Sequence, residues 1–166
     1  MPREETIQNL NEIFAEEVEA AIRYLHLAVT IKGIDRITLQ QPLLEGMNET
    51  MEHARVVAEK VLEMGGVPSL DIRIQLPGEM STGSDAIRTA VEFEQEALEA
   101  YKDLMVSAAG DVPLEEFARA QVALESEHLA RQAQVVLGAV AAGLVAEDRA
   151  AVTGRLGQLD VLADHR

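Results

Sequence analysis

The sequence predicts an all-α protein, a four-helix bundle in which one long crossover joins two pairs of helices. Four stretches of the chain carry apolar residues every three or four positions, as amphipathic helices do. Only 3% of the residues are aromatic, so the 48% apolar content is mainly Ala, Leu, Val and Ile, which favour helix packing over a β-sandwich. A chain of 166 residues is long enough for one domain with a substantial core.

The first two predicted helices form an antiparallel pair. The first runs from Glu4 to about Lys32, and Gly33 follows it as a C-cap. Residues 33–37 link it to a second periodic stretch, which ends before the glycines at residues 65–66. Because so short a link cannot cross a bundle, the two helices should be neighbours.

The second pair follows a crossover over residues 67–83, which contains two prolines and two glycines and has no helical period. Ser84 or Asp85 is the predicted cap of the third helix. After a turn at residues 110–113, a fourth helix runs to about Ala142. A plain up-and-down bundle would need no such crossover, so the long connection indicates two helical hairpins joined along the bundle.

The bundle domain is expected to occupy residues 1–146, with a short fifth helix or a tail over residues 147–166. The longest apolar stretch, residues 135–146, is well short of the ~18 residues that a membrane-spanning helix needs. The N-terminus is acidic and lacks the apolar segment of a secretion signal. We therefore expect a cytoplasmic protein with no membrane partner.

The composition excludes further classes of function. The chain has no Cys, which excludes disulfide scaffolds, zinc ribbons and thiol catalysis and leaves carboxylate and imidazole as metal ligands. Its formal charge of −15 repels nucleic acids and anionic lipids. Cationic partners are therefore favoured, and no nucleic acid is expected to bind.

Two glutamates are predicted on the buried faces of the first and third helices. Because seven residues make nearly two helical turns, Leu10, Glu17 and Tyr24 share one stripe of the first helix. The third helix repeats the spacing with Glu94 and Tyr101, so the two halves of the chain look like copies. The spacing leaves open whether the tyrosines only pack in the core or also hydrogen-bond to ligand carboxylates.

The fourth helix adds Glu125 and His128 on one face. An ionised carboxylate in a core is costly unless it is paired or bound to metal, and several would repel each other. A metal cation relieves both costs. Carboxylate and imidazole suit iron, manganese or zinc, and a carboxylate can bridge two ions. We therefore predict a metal site that contains Glu17, Glu94, Glu125 and His128.

The second helix departs from this symmetry. His53 lies on the predicted core face, but the residue three positions before it is Thr50 instead of a glutamate. Glu49 is about 100° away, where it is either solvated or turned inward as a metal ligand by a π-bulge or a long rotamer. With three buried carboxylates for two divalent ions, we expect an asymmetric dinuclear site whose weaker ion lies near Glu17 and His53.

These residues resemble bacterioferritin, the haem-containing bacterial branch of the ferritins, over roughly residues 5–142. The matching segments are Glu17, residues 21–26 (Ala-Ile-Arg-Tyr-Leu-His), 51–54 (Met-Glu-His-Ala), 65–68 (Gly-Gly-Val-Pro), Glu94 and 125–128 (Glu-Ser-Glu-His). The resemblance implies a ferritin-like four-helix bundle with a dinuclear iron ferroxidase centre. The implied ligands are three catalytic glutamates and two histidines: Glu17, Glu94, Glu125, His53 and His128.

Thr50 stands where the family has a bridging glutamate, so the resemblance implies a weakened ferroxidase. The family also holds a haem between two subunits through a methionine, and Met51 is the residue here. Met51 shares a second apolar stripe with Leu44, Ala58 and Leu62, which a monomer would expose and a two-fold dimer would bury. The stripe therefore predicts a dimer, whereas Met51 is explained either by haem binding or by ordinary packing.

Three functions are compatible with these residues. The resemblance implies a hollow 24-subunit shell that takes up Fe(II), oxidises it with oxygen or peroxide and stores Fe(III). The alternative is a ferritin-fold dimetal redox enzyme that performs oxygen or peroxide chemistry without storing mineral. The third is a binding or structural bundle whose buried acids hold no catalytic metal. Assembly size and metal content distinguish the three.

Overall fold

A computed structural model describes residues 3–141, and the regular structure within this range is entirely helical. The four helices are α1 (Arg3–Thr30), α2 (Asp35–Glu63), α3 (Gly83–Ser107) and α4 (Val112–Ala141). The two main packed pairs are α1 with α2 and α3 with α4. The predicted all-α four-helix fold is confirmed. The predicted fifth helix, from about residue 147, lies outside the described residues.

The crossover, residues 64–82, follows the length of α1. Asn11 binds it near its start, donating to the Val67 carbonyl and accepting from the Ser69 amide. Near its end, Ser81 exchanges backbone hydrogen bonds with Thr30 and Lys32. The crossover therefore returns the chain to the end of the bundle where α1 stops, and α3 starts there, antiparallel to α1.

Two helix starts differ from the prediction. The link between α1 and α2 covers residues 31–34, so α2 begins at Asp35 and contains Pro42 within its first turns. The cap of α3 is Thr82, whose hydroxyl accepts a 3.1 Å hydrogen bond from the Asp85 amide, and neither Ser84 nor Asp85 takes that role. Capping requires extended backbone at the cap residue, which Thr82 has and which sequence alone does not specify.

Two apolar clusters fill the bundle and leave a polar layer between them. One cluster packs around Tyr24, Leu27 and Phe93, towards the end where α1 finishes. The other packs around Leu10 and Leu104, towards the opposite end. Because both clusters are largely apolar, the charged side chains between them have few polar partners other than each other and the tyrosines Tyr24 and Tyr101.

Candidate metal centre

The polar layer is formed by one or two side chains from each helix. Glu17, Glu94, Glu125 and His128 are each at most 2% exposed, and His53 is nearly buried. Each reaches the layer from the helical stripe that its spacing predicted. All five residues singled out on the core faces therefore lie in this layer, but Glu17 and Glu94 are not part of the tighter group that could hold a metal ion.

Three of these side chains form a group that could hold a metal ion. His53, Glu125 and His128 each offer one ligand atom, and the three atoms lie within 4.8 Å of one another. His53 Nδ1, Glu125 Oε1 and His128 Nδ1 are buried and make no hydrogen bond among the described residues. His53 Nδ1 and Glu125 Oε1 contact each other, but not in the direction of a hydrogen bond. Unsatisfied buried polar atoms are costly, and this nitrogen and oxygen set suits iron, manganese or zinc.

Two tyrosines hydrogen-bond to the other two carboxylates of the layer, Glu17 and Glu94, across the contact between α1 and α3. Tyr24 on α1 donates a 2.5 Å hydrogen bond to Glu94 Oε1 on α3. Tyr101 on α3 donates a 2.7 Å hydrogen bond to Glu17 Oε1 on α1. The other oxygen of Glu94 lies 3.1 Å from His128 Nδ1. Both tyrosines are thus buried in the core, and each also orients a carboxylate.

Gly46 on α2 makes room for one of these tyrosines. A Cβ at this position would lie 2.7 Å from Cε1 and Cζ of the Tyr24 ring. Gly46→Ala should therefore displace the ring, lengthen its hydrogen bond to Glu94 and lower the free energy of unfolding by about 1–3 kcal/mol. Urea denaturation checks this, with Gly78→Ala in the open crossover as the control. Unchanged stability would mean that Tyr24 moves without cost.

Burial dominates the electrostatics of the layer. Burial and the charge of Glu125 raise the pKa of Glu17 to about 8. Burial also raises the pKa of Glu125. Burial alone would lower the pKa of His53, but the adjacent Glu125 and the charge of Glu17 outweigh it and raise that pKa to about 9. Without a cation, Glu17 and Glu125 thus resist ionisation.

The metal-free protein is therefore expected to lose stability as the pH rises from about 4.5 to about 9. Ionising Glu17 costs more in the folded chain, so its penalty grows between its ordinary pKa of 4.5 and about 8. The stability contributed by protonated His53 is complete below its ordinary pKa of 6.5 and is lost as the pH passes about 9. Thermal unfolding of chelator-treated protein at pH 5 and 8.5 measures this, and Glu17→Gln should reduce the slope. Stability that rises over this range would contradict the assignment.

On α2, Thr50 stands where the symmetry of the two halves predicts a glutamate, and it is buried. Its neighbour Glu49 lies at the edge of the polar layer. Thr50 is 2% exposed, on the same face as the ligand group. Glu49 is half-exposed, with Oε2 3.3 Å from His128 Nε2 and 2.5 Å from an Arg131 guanidinium nitrogen. It is therefore neither simply solvated nor inside the layer. Sequence reasoning missed Arg131, because an exposed Arg on a polar face carries no signal of its own.

Met51 lies outside the polar layer, on the surface of α2. Its side chain is exposed, as is that of Leu62 on the same stripe. Leu44, at the other end of the stripe, is partly buried against the core. The stripe predicted on α2 is thus half exposed in the single chain.

Comparison with known families identifies the fold's relatives. The family model described as a ferritin-like domain matches residues 7–136. The chain belongs to the ferritin-like family. No curated protein matches the sequence. No helix of the described ferritin-like bundle has an apolar run sufficient to span a membrane.

Solved structures give the same ferritin-like fold. A bacterioferritin-related dodecameric thioferritin from Bacteroides fragilis superposes with a TM-score of 0.75 at 22% identity, covering 86% of this chain and 90% of the other. An open pore ferritin from Archaeoglobus fulgidus gives 0.74 at 24% identity, covering 94% of each chain. A ferritin-like, diiron-carboxylate protein from Bacillus anthracis gives 0.69 at 26% identity, covering 80% of this chain and 96% of the other.

Proposed function

We propose that this chain is a bacterioferritin-like protein that binds iron, oxidises Fe(II) with oxygen or peroxide and stores Fe(III) in a homo-oligomeric shell. The observation that supports this most strongly is the convergence of three buried ligand atoms, on His53, Glu125 and His128, that make no hydrogen bond among the described residues. Membership of the ferritin-like family and the diiron-carboxylate relative support iron as the metal. Manganese and zinc suit the same ligands.

The proposed centre holds two ions unequally. Glu94, Glu125 and His128 would hold the tighter ion, and Glu17 with His53 the weaker one. Three buried carboxylates leave two divalent ions with one excess positive charge, because Thr50 supplies none. Fe(II) bound there is the substrate of the oxidation, and Glu17, Glu94 and Glu125 are the proposed catalytic carboxylates.

The protein's own contribution to this chemistry is orientation and exclusion of water. Tyr24 and Tyr101 each hold one oxygen of a carboxylate. The second oxygen of Glu94 lies 3.1 Å from His128 Nδ1. Burial and the neighbouring carboxylates raise the pKa of both tyrosines, so they stay protonated as donors at neutral pH. Apolar clusters pack on either side of the layer, and His53 is the most exposed of its five residues.

The proposed assembly is a shell built from two-fold dimers, with 24 subunits as in bacterioferritin. The Bacteroides relative is a dodecamer, so shells of other sizes occur on this fold. The exposed stripe of Met51 and Leu62 is the proposed dimer interface. Haem, if it is bound, would lie there on Met51.

Met51→Glu is expected to weaken the dimer, because a two-fold axis places two copies of the new charge near each other. Sedimentation velocity should show a larger fraction of small species, and any haem Soret band should disappear. Val106→Glu on α3, which is also exposed, is the matched control. A fully assembled Met51→Glu protein would show that the stripe is not an interface.

A second candidate is a dimetal redox enzyme that stores no mineral. Thr50 favours it, since the missing carboxylate weakens one ion site. Aerobic addition of Fe(II), followed by light scattering and iron analysis, separates the candidates. A large assembly that retains many iron atoms per chain supports storage. A dimer that consumes peroxide and retains no mineral supports the alternative, and a protein that binds no metal refutes both.

A further inference from the structure

The buried ring of His128 has a carboxylate near each of its two nitrogens. Glu94 Oε2 lies 3.1 Å from Nδ1, and Glu49 Oε2 lies 3.3 Å from Nε2. The two ring nitrogens point in different directions, so these carboxylates approach from different sides. Glu94 belongs to the polar layer, whereas Glu49 reaches the ring from the α2 surface.

Glu49 is itself held by Arg131, one turn beyond Glu127 on α4. One guanidinium nitrogen of Arg131 lies 2.5 Å from Glu49 Oε2, and the other lies 3.3 Å from Glu127 Oε1. The three residues lie along a groove of about 520 Å³ between α2 and α4, which His53 also lines. Arg131 thereby ties α2 to α4 at the edge of the layer and neutralises the charge of Glu49.

We infer that Glu49 and Arg131 are positioning residues that keep a proton on His128 Nε2 and leave Nδ1 free to bind the metal. This inference rests on the proposed function, because it takes His128 as a ligand. A neutral imidazole carries one proton, and a metal on Nδ1 requires that proton on Nε2. Once Glu94 is also engaged with the metal, Glu49 is the carboxylate that remains near Nε2.

A competing contact favours the opposite tautomer. The amide nitrogen of Gln132 lies 3.4 Å from His128 Nε2 and would place the proton on Nδ1. Glu49 Oε2 lies 3.3 Å from Nε2 but not in the direction of a hydrogen bond, so a turn of the Glu49 side chain is needed to align the two. Because hydrogen bonds to a charged acceptor are shorter and stronger than those between neutral groups, Glu49 should then prevail over Gln132. Arg131 contributes by fixing the rotamer of Glu49, which is half-exposed and otherwise free to turn towards solvent.

The same geometry distinguishes Glu49 from a metal ligand. His128 Nδ1 is the nitrogen without a hydrogen bond, and Glu49 is at the other nitrogen. No described carboxylate contacts Nε2 of His53, so this histidine has no comparable partner. The inferred asymmetry between the two ions thus has a second cause besides Thr50.

Titration of the metal-free protein with Co(II), followed by its visible absorption, tests the inference. Partners that orient a metal-bound histidine typically contribute 10–100-fold in affinity. Glu49→Gln should therefore weaken the tighter Co(II) site by about tenfold or more, and Arg131→Gln by less. The double variant should be no weaker than Glu49→Gln. All three should reach the stoichiometry and the saturated spectrum of the unaltered protein, because no ligand is lost.

Two controls accompany these variants. Arg119→Gln removes an exposed α4 arginine that pairs with Glu116 and should leave Co(II) binding unchanged. Gln132→Leu removes the competing contact and should not weaken binding.

The inference is overturned if Glu49→Gln binds Co(II) with unaltered affinity, or if it loses one Co(II) per chain, which would make Glu49 a ligand. Tighter binding by Arg131→Gln would also overturn it, since Arg131 would then compete with the metal. An unaltered protein that binds no Co(II) would instead refute the proposed function.

Discussion

The His128→Ala protein is expected to lose the tighter metal site while keeping its helices. His128 Nδ1 is one of three buried atoms of the group that make no hydrogen bond among the described residues, and it lies 3.1 Å from Glu94 within the same layer. Glu94→Gln should also weaken this site strongly, because it removes a charge but preserves an acceptor for Tyr24. Metal analysis after equilibration with Fe(II) without oxygen measures the loss, and circular dichroism reports the helix content.

His26→Ala is the matched control for this experiment. His26 lies on α1 and is only partly buried, and its backbone carbonyl accepts a hydrogen bond from the Thr30 hydroxyl. Its removal should leave the metal content at the level of the unaltered protein. Equal metal content in His128→Ala, with intact helices, would remove His128 from the centre and with it the proposed tighter site.

Thr50→Glu is expected to raise the affinity for the second metal and to accelerate Fe(II) oxidation. Position 50 is buried one turn before His53, where a carboxylate could bridge both ions. A fourth negative charge would neutralise two divalent ions and favour the oxidised pair, whose charge is higher. The cost appears in the metal-free protein, which should be less stable near neutral pH because another buried acid must protonate or repel its neighbours.

Thr50→Gln separates the effect of charge from the effect of size. It adds a side chain of the same length without a charge, so it should raise neither the affinity nor the rate. Metal titrations and oxidation progress curves of the three proteins give the comparison. If Thr50→Glu gains neither affinity nor rate, the three carboxylates and two histidines do not work as a dimetal ferroxidase.

The helical spacing was sufficient to predict the fold and the faces of the buried acids. Glu17 and Glu94 each lie seven positions before a tyrosine. This spacing places each glutamate on the same helical face as its tyrosine, independently of how the helices pack. The partners of the tyrosines could not be predicted. Tyr24 binds Glu94 and Tyr101 binds Glu17, so each bond joins residues far apart in sequence, and a spacing rule fixes a face without fixing what lies opposite.

The edge of the layer was the least predictable part of the candidate site. Glu49 lies on a helix face rich in acids, where most charges are solvated, so its position next to His128 Nε2 depends on how α2 packs against α4. The position of the Arg131 side chain could not be predicted either, because its ion pair with Glu49 connects two helices. Packing therefore determines the environment of His128, while the sequence determines its place on α4.

A crystal structure of the iron-soaked protein, with anomalous scattering measured at the iron edge, tests the proposed metal centre most directly. The expected map has two peaks in the polar layer. The stronger peak should contact His128 Nδ1, Glu94 and Glu125, and the weaker should lie beside Glu17 and His53. Iron peaks confined to the acidic surface, with the layer empty and its side chains unmoved, would contradict the assignment of these five residues as a metal site.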